Sequence, residues 1–252
     1  MKKSLLSFFH LGLCFLLQAS PVVAAGIGTV TGIRGEATVR HEAVPQAQTL
    51  KFKDDVQWQD ILNTGADARL RLLILQKSVI TMKEQSQLQL REEAVSPTQP
   101  KKKSVLNLLS GSIRAVVEKD ALKDSDFEVH TNIAVAAIRG SDLIVERISP
   151  TEANFFTGPG AAATVIHTNP AIGTQDLAEL SRARVLPTGI DITRITLDQF
   201  RSLAAATAPK GAQSNGHRAS ATLASVESRT VSQAVAGTVS AVVAHAGIGA
   251  LG

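Results

Sequence analysis

The sequence predicts an all-β protein, a strand-rich roll or solenoid-like sandwich with a short C-terminal helix and a low-complexity tail. Two observations predict the β class. From Ile27 onward, short apolar runs alternate with polar residues at a period near two, the pattern of strands that bury one face. Gly, Asp and Asn separate those runs, and such residues accept the backbone angles of tight turns. A third observation predicts the helix and the tail: helical spacing first appears at Ile195 to Leu203, and the composition then shifts to Ala, Ser, Gly, Thr and Val.

The chain opens with Met1-Lys2-Lys3, an apolar run from Leu5 to Leu17, a Pro21 break and small residues at Ala24 and Ala25. That order of parts predicts a secretory signal peptide over residues 1–25, cleaved after Ala25. An apolar run of roughly 13 residues is short of the ~20 that span a bilayer as a helix. Cys14, the only cysteine, lies inside this run and follows Leu13 rather than a small residue, which argues against a lipid anchor. The mature chain is then expected to lack thiols and disulfides and to reside in the periplasm or outside the cell. Loss of Lys2 and Lys3 leaves 24 basic residues against 22 acidic ones, a net charge of +2. So small a charge does not suit nucleic acid, which rewards many clustered phosphate contacts.

Residues 26–192 read as the β module. Val30, Ile33 and Val39 flank Gly32 and Gly35, and Leu70, Leu72 and Ile74 alternate with Arg69, Arg71 and Leu73. Val79 to Met82 and Leu88 to Arg91 continue the pattern across a polar break at Lys83 to Ser86. Glu92 to Lys103, with Pro97, Pro100 and three lysines, reads as a surface loop. Val105 to Leu109 and Ile113 to Val117 flank Ser110-Gly111-Ser112, which reads as a hairpin turn. Strands follow at Phe127 to Thr131, Ile133 to Ile138, Leu143 to Val145, Ala153 to Phe156, Thr164 to His167 and Arg184 to Leu186. A short helix is expected over 193–203, capped by Thr193 or Thr196. Residues 204–252 carry no aromatic side chain and offer little apolar area against the entropy of ordering. Disorder is expected there to about Ser220, followed by an Ala/Val helix with Val231, Val235 and Val239 at every fourth position. Ala and Gly insert poorly into bilayers, so membrane association has weak support.

Five segments in order carry a resemblance: Gly28 to Gly35, Asn63 to Leu70, Leu109 to Ile113, Phe127 to Thr131, and Val135 to Leu143 with its Ala-Ile-Arg-Gly-Ser run. Across Gly26 to Glu146 the chain resembles a FecR-type domain. Iron-uptake FecR proteins join a cytoplasmic segment, one membrane helix and a periplasmic domain to pass a signal from an outer-membrane receptor to a sigma factor. This chain has two lysines and a cleavable signal in place of the first two parts, so the resemblance implies the periplasmic fold and a binding role without sigma-factor control. At Gln76-Lys77-Ser78 the family's usual Asp-Gly-Ser is missing, and the turn before Val79 must differ.

Candidate sites are few. Arg139, Gly140 and Ser141 read as a structural motif, with the guanidinium satisfying strand-end carbonyls or Asp142 and the glycine permitting a turn. Lys101, Lys102 and Lys103 are candidate contacts to an anionic envelope polymer or lipid headgroup. Phe155 and Phe156 are expected to supply core on one side and a partner contact on the other. His41, His130, His167, His217 and His245 lack the i, i+2 or i, i+4 spacing of a local metal site. No nucleophile elbow is present, and Asp54-Asp55, Glu92-Glu93, Asp124 and Asp126 fall in expected loops. Trp58 stands alone, without the exposed aromatic platform that stacks on sugars. The expected function is therefore non-catalytic binding or scaffolding through strand edges, with no cofactor and with another envelope protein as partner. The alternative is signal transfer in trans to a receptor or membrane regulator, and an envelope-polymer enzyme ranks third.

Overall fold

Leu70, Leu72 and Ile74 are fully buried while Arg71 between them is exposed, so the alternation seen in the sequence is a strand with one face in a core. The computed structural model describes residues 26–96, 99–118, 125–139 and 142–207. The expected signal peptide, Gly140, Ser141 and the tail beyond Thr207 lie outside the described residues.

The described strands are, in chain order, β1 (Gly28–Arg34), β2 (Ala37–His41), β3 (Val44–Thr49), β4 (Asp55–Val56), β5 (Ile61–Thr64), β6 (Arg69–Ile74), β7 (Ser78–Met82), β8 (Gln87–Ser96), β9 (Gln99–Val117), β10 (Ser125–His130), β11 (Ala134–Ile138), β12 (Asp142–Ser149), β13 (Glu152–Thr157), β14 (Ala163–His167), β15 (Thr174–Leu177), β16 (Ser181–Leu186) and β17 (Gly189–Arg194). One ladder, sheet I, runs β4-β1-β6-β7-β9-β12-β13-β16-β17. The other, sheet II, runs β3-β2-β5-β8-β9-β10-β11-β14-β15. Every pairing is antiparallel except β9 with β10. The inner residues of both sheets, among them Leu72, Ile80 and Phe155 of sheet I and Leu62, Leu88 and Phe127 of sheet II, form one core cluster. The fold is thus an open mixed sandwich, as the sequence predicts.

Strand β9 joins the two sheets. Its 19 residues reach about 60 Å at ~3.3 Å per residue, enough to serve both. The part of β9 from Gln99 to Ser110 pairs in sheet II and residues 111–117 pair in sheet I. Leu106 and Leu108 face the core before the crossing, and Ile113, Ala115 and Val117 after it. The buried parity changes from even to odd at Gly111, which has φ +80°. Ser110-Gly111-Ser112 therefore bends a continuous strand instead of reversing it. Here the expected hairpin is corrected, because a glycine at positive φ serves a bulge as readily as a turn. The reversal lies upstream: β8 and β9 pair from Gln87 with Ser110 out to Ser96 with Gln99. Most of the segment from Glu92 to Lys103 is thus strand, not the expected loop.

Hydroxyl groups fasten the crossing. Ser86 Oγ donates to Ser112 O at 3.0 Å and accepts from Ser112 N–H at 2.9 Å. Ser86 N–H donates to Thr64 Oγ1 at 2.9 Å. The same device recurs where Ser181 N–H donates to Thr157 Oγ1 at 3.2 Å. In both cases the residue before the serine, Gln85 or Leu180, has positive φ.

At the departure from the family pattern, β6 and β7 pair without a shift from Leu70 with Met82 to Ile74 with Ser78. The turn places Leu75 at φ 51° and Gln76 at φ 59°, and Lys77 N–H bonds to Ile74 O at 3.2 Å. Two side chains thus occupy the left-handed region, each at a cost of about 1 kcal/mol or more. Replacing Leu75-Gln76 by Asn-Gly is expected to raise stability by about 1 kcal/mol. A melting temperature unchanged or lowered in the double variant would refute that account of the turn.

The helix, α1 (Leu197–Thr207), begins four residues later than expected. Thr196 caps it: Gln199 N–H donates to Thr196 Oγ1 at 3.1 Å and Thr196 N–H to Gln199 Oε1 at 2.8 Å, a reciprocal capping box. Phe200 and Ala204 pack on Ile144 and Phe156 of the outer face of sheet I. Gly158 makes room, since a Cβ there would lie 2.8 Å from Phe200 Cζ.

Candidate interaction site

Arg139 is exposed, and its backbone N–H bonds to Ala162 O at 2.9 Å. Its expected partner Asp142 is taken by Arg114, whose Nε and Nη2 meet the two carboxylate oxygens at 2.9 and 2.7 Å. Cross-strand register explains the choice: Arg114 and Asp142 sit on neighbouring strands, β9 and β12, whose pairing aligns Asp142 with Val116. Sequence distance hid this pair, and no local signal could have found it.

Lys102 lies in the β8–β9–β10 ladder opposite Ala94 and Ser125, and Lys101 precedes it on β9. Lys103 is engaged: its Nζ is 2.9 Å from Glu128 Oε1, while His130 Nε2 lies 2.7 Å from Glu128 Oε2. Burial pushes the Glu128 carboxyl up, but the hydrogen bonds from His130 and Lys103 and their charges outweigh it and hold it below the ordinary glutamate range. Lys103 is therefore an internal counter-ion on the outer face of sheet II.

Phe155 is fully buried in the main core, and Phe156, on the opposite face of β13, is 6% exposed. Phe156 meets Phe200 of α1 and the guanidinium of Arg182, 5.8 Å from its ring centroid. The contact expected from a partner is supplied by the chain's own helix. Strand alternation correctly put the two rings on opposite faces, but it could not say what covered the outer one.

The described histidines are apart. His41 Nδ1 lies 2.7 Å from the buried Asp60, and His167 Nε2 bonds to Leu186 O at 3.0 Å. Among the described residues no group of three His, Cys, Asp or Glu is placed to hold a metal ion. A cleft of about 560 Å³ lies beside Trp58 and is lined also by Ile27, Leu73, Leu75, Gln76 and Glu92. No helix among the described residues is long and apolar enough to cross a membrane.

Sheet edges remain. Edge strand β4 has two residues, β3 carries Pro45 and faces a register shift in β2, and β15 has four residues. Short length, proline and bulges are the ordinary means of blunting an edge. By contrast, β17 pairs with β16 in unbroken register over six residues, from Ser181 with Arg194 to Leu186 with Gly189. The Pro187-Thr188 turn makes Leu186 and Gly189 a mutually hydrogen-bonded pair, so Gly189, Asp191 and Thr193 bond inward. The alternation continues in the bond from Ile195 N–H to Leu180 O at 2.9 Å. Ile190, Ile192 and Arg194 consequently turn their N–H and C=O groups to the open edge, and Ile192 is 41% exposed.

The chain is similar over 57% of its length to two crystal structures, at 1.65 and 2.50 Å resolution, of a candidate anti-sigma factor from Parabacteroides distasonis ATCC 8503, each at 12% identity and a TM-score of 0.44. It covers 64% and 63% of those chains, short of two thirds of their length. No curated protein matches the chain. The family model for FecR protein matches residues 60–159, a span that begins later than the Gly26 of the sequence resemblance and takes in β5 through β13 with the β9 crossing. The chain therefore carries a FecR domain over residues 60–159, at the centre of its sandwich.

Proposed function

We propose that this chain is a non-catalytic, exported binding or scaffolding protein that receives an extended segment of another envelope protein on the open edge of β17. The observation that supports this reading is the contrast among the four edges: three are short or interrupted, and β17 is regular over six residues. Strand addition takes affinity from main-chain hydrogen bonds and specificity from alternate side chains. β17 lies beyond the FecR match, so the edge belongs to what this chain adds to that domain. The FecR match favours a second reading, signal transfer in trans through the same edge, in which deletion of the protein changes transcription.

Ile192→Pro tests the edge. It removes an outward N–H without breaking a bond to β16, and proline is tolerated on edge strands. With the mature chain as bait on envelope extract, wild type is expected to capture a partner that the variant loses by at least ~10-fold, with both proteins folded. Equal capture by the two would overturn the proposal. A companion truncation should stop after Thr207, because Phe200, Ala204 and Thr207 are buried. A partner lost only with residues 208–252 would move the function to the tail.

A further inference from the structure

Three pieces of irregular chain meet where β1 begins. Ile27 N–H donates to Val56 O at 2.8 Å, Leu75 N–H to Ile27 O at 2.8 Å and Gln59 N–H to Leu90 O at 2.7 Å. The start of β1, the turn at 57–60 and the β6–β7 turn are thus tied to one another and to β8, and the cleft beside Trp58 lies among them. Buried Asp60 braces the turn that carries Trp58. Its Oδ2 accepts from Gln57 N–H at 2.7 Å, and its Oδ1 lies 2.7 Å from His41 Nδ1. A side chain held on a turn so fixed is in place before any ligand arrives. Left-handed backbone recurs around the cleft at residues other than glycine: Gln59, next to Trp58, has φ 69°, and Leu75 and Gln76 have φ 51° and 59°. Strain of this kind concentrates at sites of function. At 75–76 an Asn-Gly pair forms such a turn at lower cost but brings neither the leucine nor the glutamine side chain to the cleft, and Leu75 is left 37% exposed. Their place in the cleft wall accounts for both residues.

The cleft's volume, about 560 Å³, falls within the roughly 300–1,000 Å³ of small-molecule sites. Ile27, Leu75 and Trp58 supply an apolar part of its wall, and Thr29, Gln76 and Glu92 a polar part. No lysine or arginine lines it, which disfavours an anionic ligand. The α-ammonium that cleavage after Ala25 would leave on Gly26 lies close to Asp55, whose Cγ is 3.2 Å from a Cβ built on that glycine. A sugar ring suits this division of the wall. Its C–H face packs on an indole, and its hydroxyls both donate and accept, matching a carboxylate that only accepts and an amide that does both. We propose that this cleft binds a neutral saccharide, with Trp58 stacked on the ring and Gln76 and Glu92 taking its hydroxyls. In the sequence Trp58 lacks an aromatic companion; in the fold Ile27 and Leu75 complete the apolar wall.

Trp58 is the only tryptophan and the chain has no tyrosine, so intrinsic fluorescence reports on this cleft. The mature chain is titrated with cellobiose and with N,N′-diacetylchitobiose, and calorimetry repeats each titration. Saturable binding of at least one disaccharide is expected. Gln76→Ala and the double variant Leu75→Asn/Gln76→Gly should each weaken it at least ~10-fold, as for the loss of one hydrogen-bonded contact. The double variant should do so while melting above wild type, which separates lost binding from lost folding. Ile192→Pro, on β17, should bind as wild type does, so this site and the sheet edge stand or fall separately. No saturable signal from either sugar by either method, or equal binding by all variants, would overturn the proposal. A response to tetramethylammonium chloride without one to the sugars would also reject it, and would assign the cleft to a cation over Trp58.

Discussion

Gly111→Ala is expected to lower stability by about 3 kcal/mol. A Cβ at Gly111 would lie 2.3 Å from Ser86 Oγ, 2.6 Å from Ser86 Cα and 2.8 Å from Gln85 O, inside any allowed contact. The residue also has φ +80°, a region that costs an L side chain about 1–2 kcal/mol. Forcing a methyl group into a packed site adds about 1–3 kcal/mol. For a domain of this size each kcal/mol moves the melting temperature by about 2–4 °C, so thermal unfolding followed by far-UV circular dichroism should fall by roughly 6–12 °C. Trimming Ser86 to Ala should not rescue the variant, because two of the three close atoms are Cα and backbone oxygen. A midpoint within about 1 °C of wild type would mean that β9 does not turn from one sheet to the other at this residue.

Phe155→Ala is expected to cost about 3–5 kcal/mol, the range for removing a fully buried aromatic ring. The ring is wholly buried in the cluster to which both sheets contribute, and its loss leaves a cavity that two sheets held by β9 cannot readily close. Urea unfolding should shift to a lower midpoint with an unchanged slope, as for a change in stability alone. Phe156→Ala should behave differently although it is the adjacent residue. Phe156 sits on the outer face beneath Phe200 and Ala204, so its loss should free α1 to proteolysis while most of the core transition persists. Equal effects on the global midpoint from both substitutions would contradict the division between the main core and the helix seat.

Much of the fold was legible because strand periodicity reports burial directly. Leu70, Leu72, Ile74, Leu88 and Leu90 are inward as their alternation requires, and Thr196, one of the two threonines expected to cap the helix, does so. The FecR resemblance was also legible, since it rests on the order of glycine-containing segments along the chain. Site residues were less so. Arg139 was chosen for its motif, yet the carboxylate beside it pairs with Arg114, 28 residues away. The lysine run by itself gives no hint that Lys103 meets Glu128 across a parallel ladder, and only pairing between strands 35 residues apart brings Arg34 to Arg69.

What the sequence by itself determined is that the alternating apolar runs are strands, which face of each is apolar, and where helix α1 starts to be possible. Tertiary structure decided which sheet each strand joins. Both sheets bury their apolar faces in the same core, so a strand of sheet I and a strand of sheet II have the same period and composition. Gly111 shows the limit most clearly. Its residue type allowed positive φ, but whether the chain there reversed or bent depended on Ser86 and Ser112, and on neighbours β7 and β12, which reach β9 from distant parts of the chain.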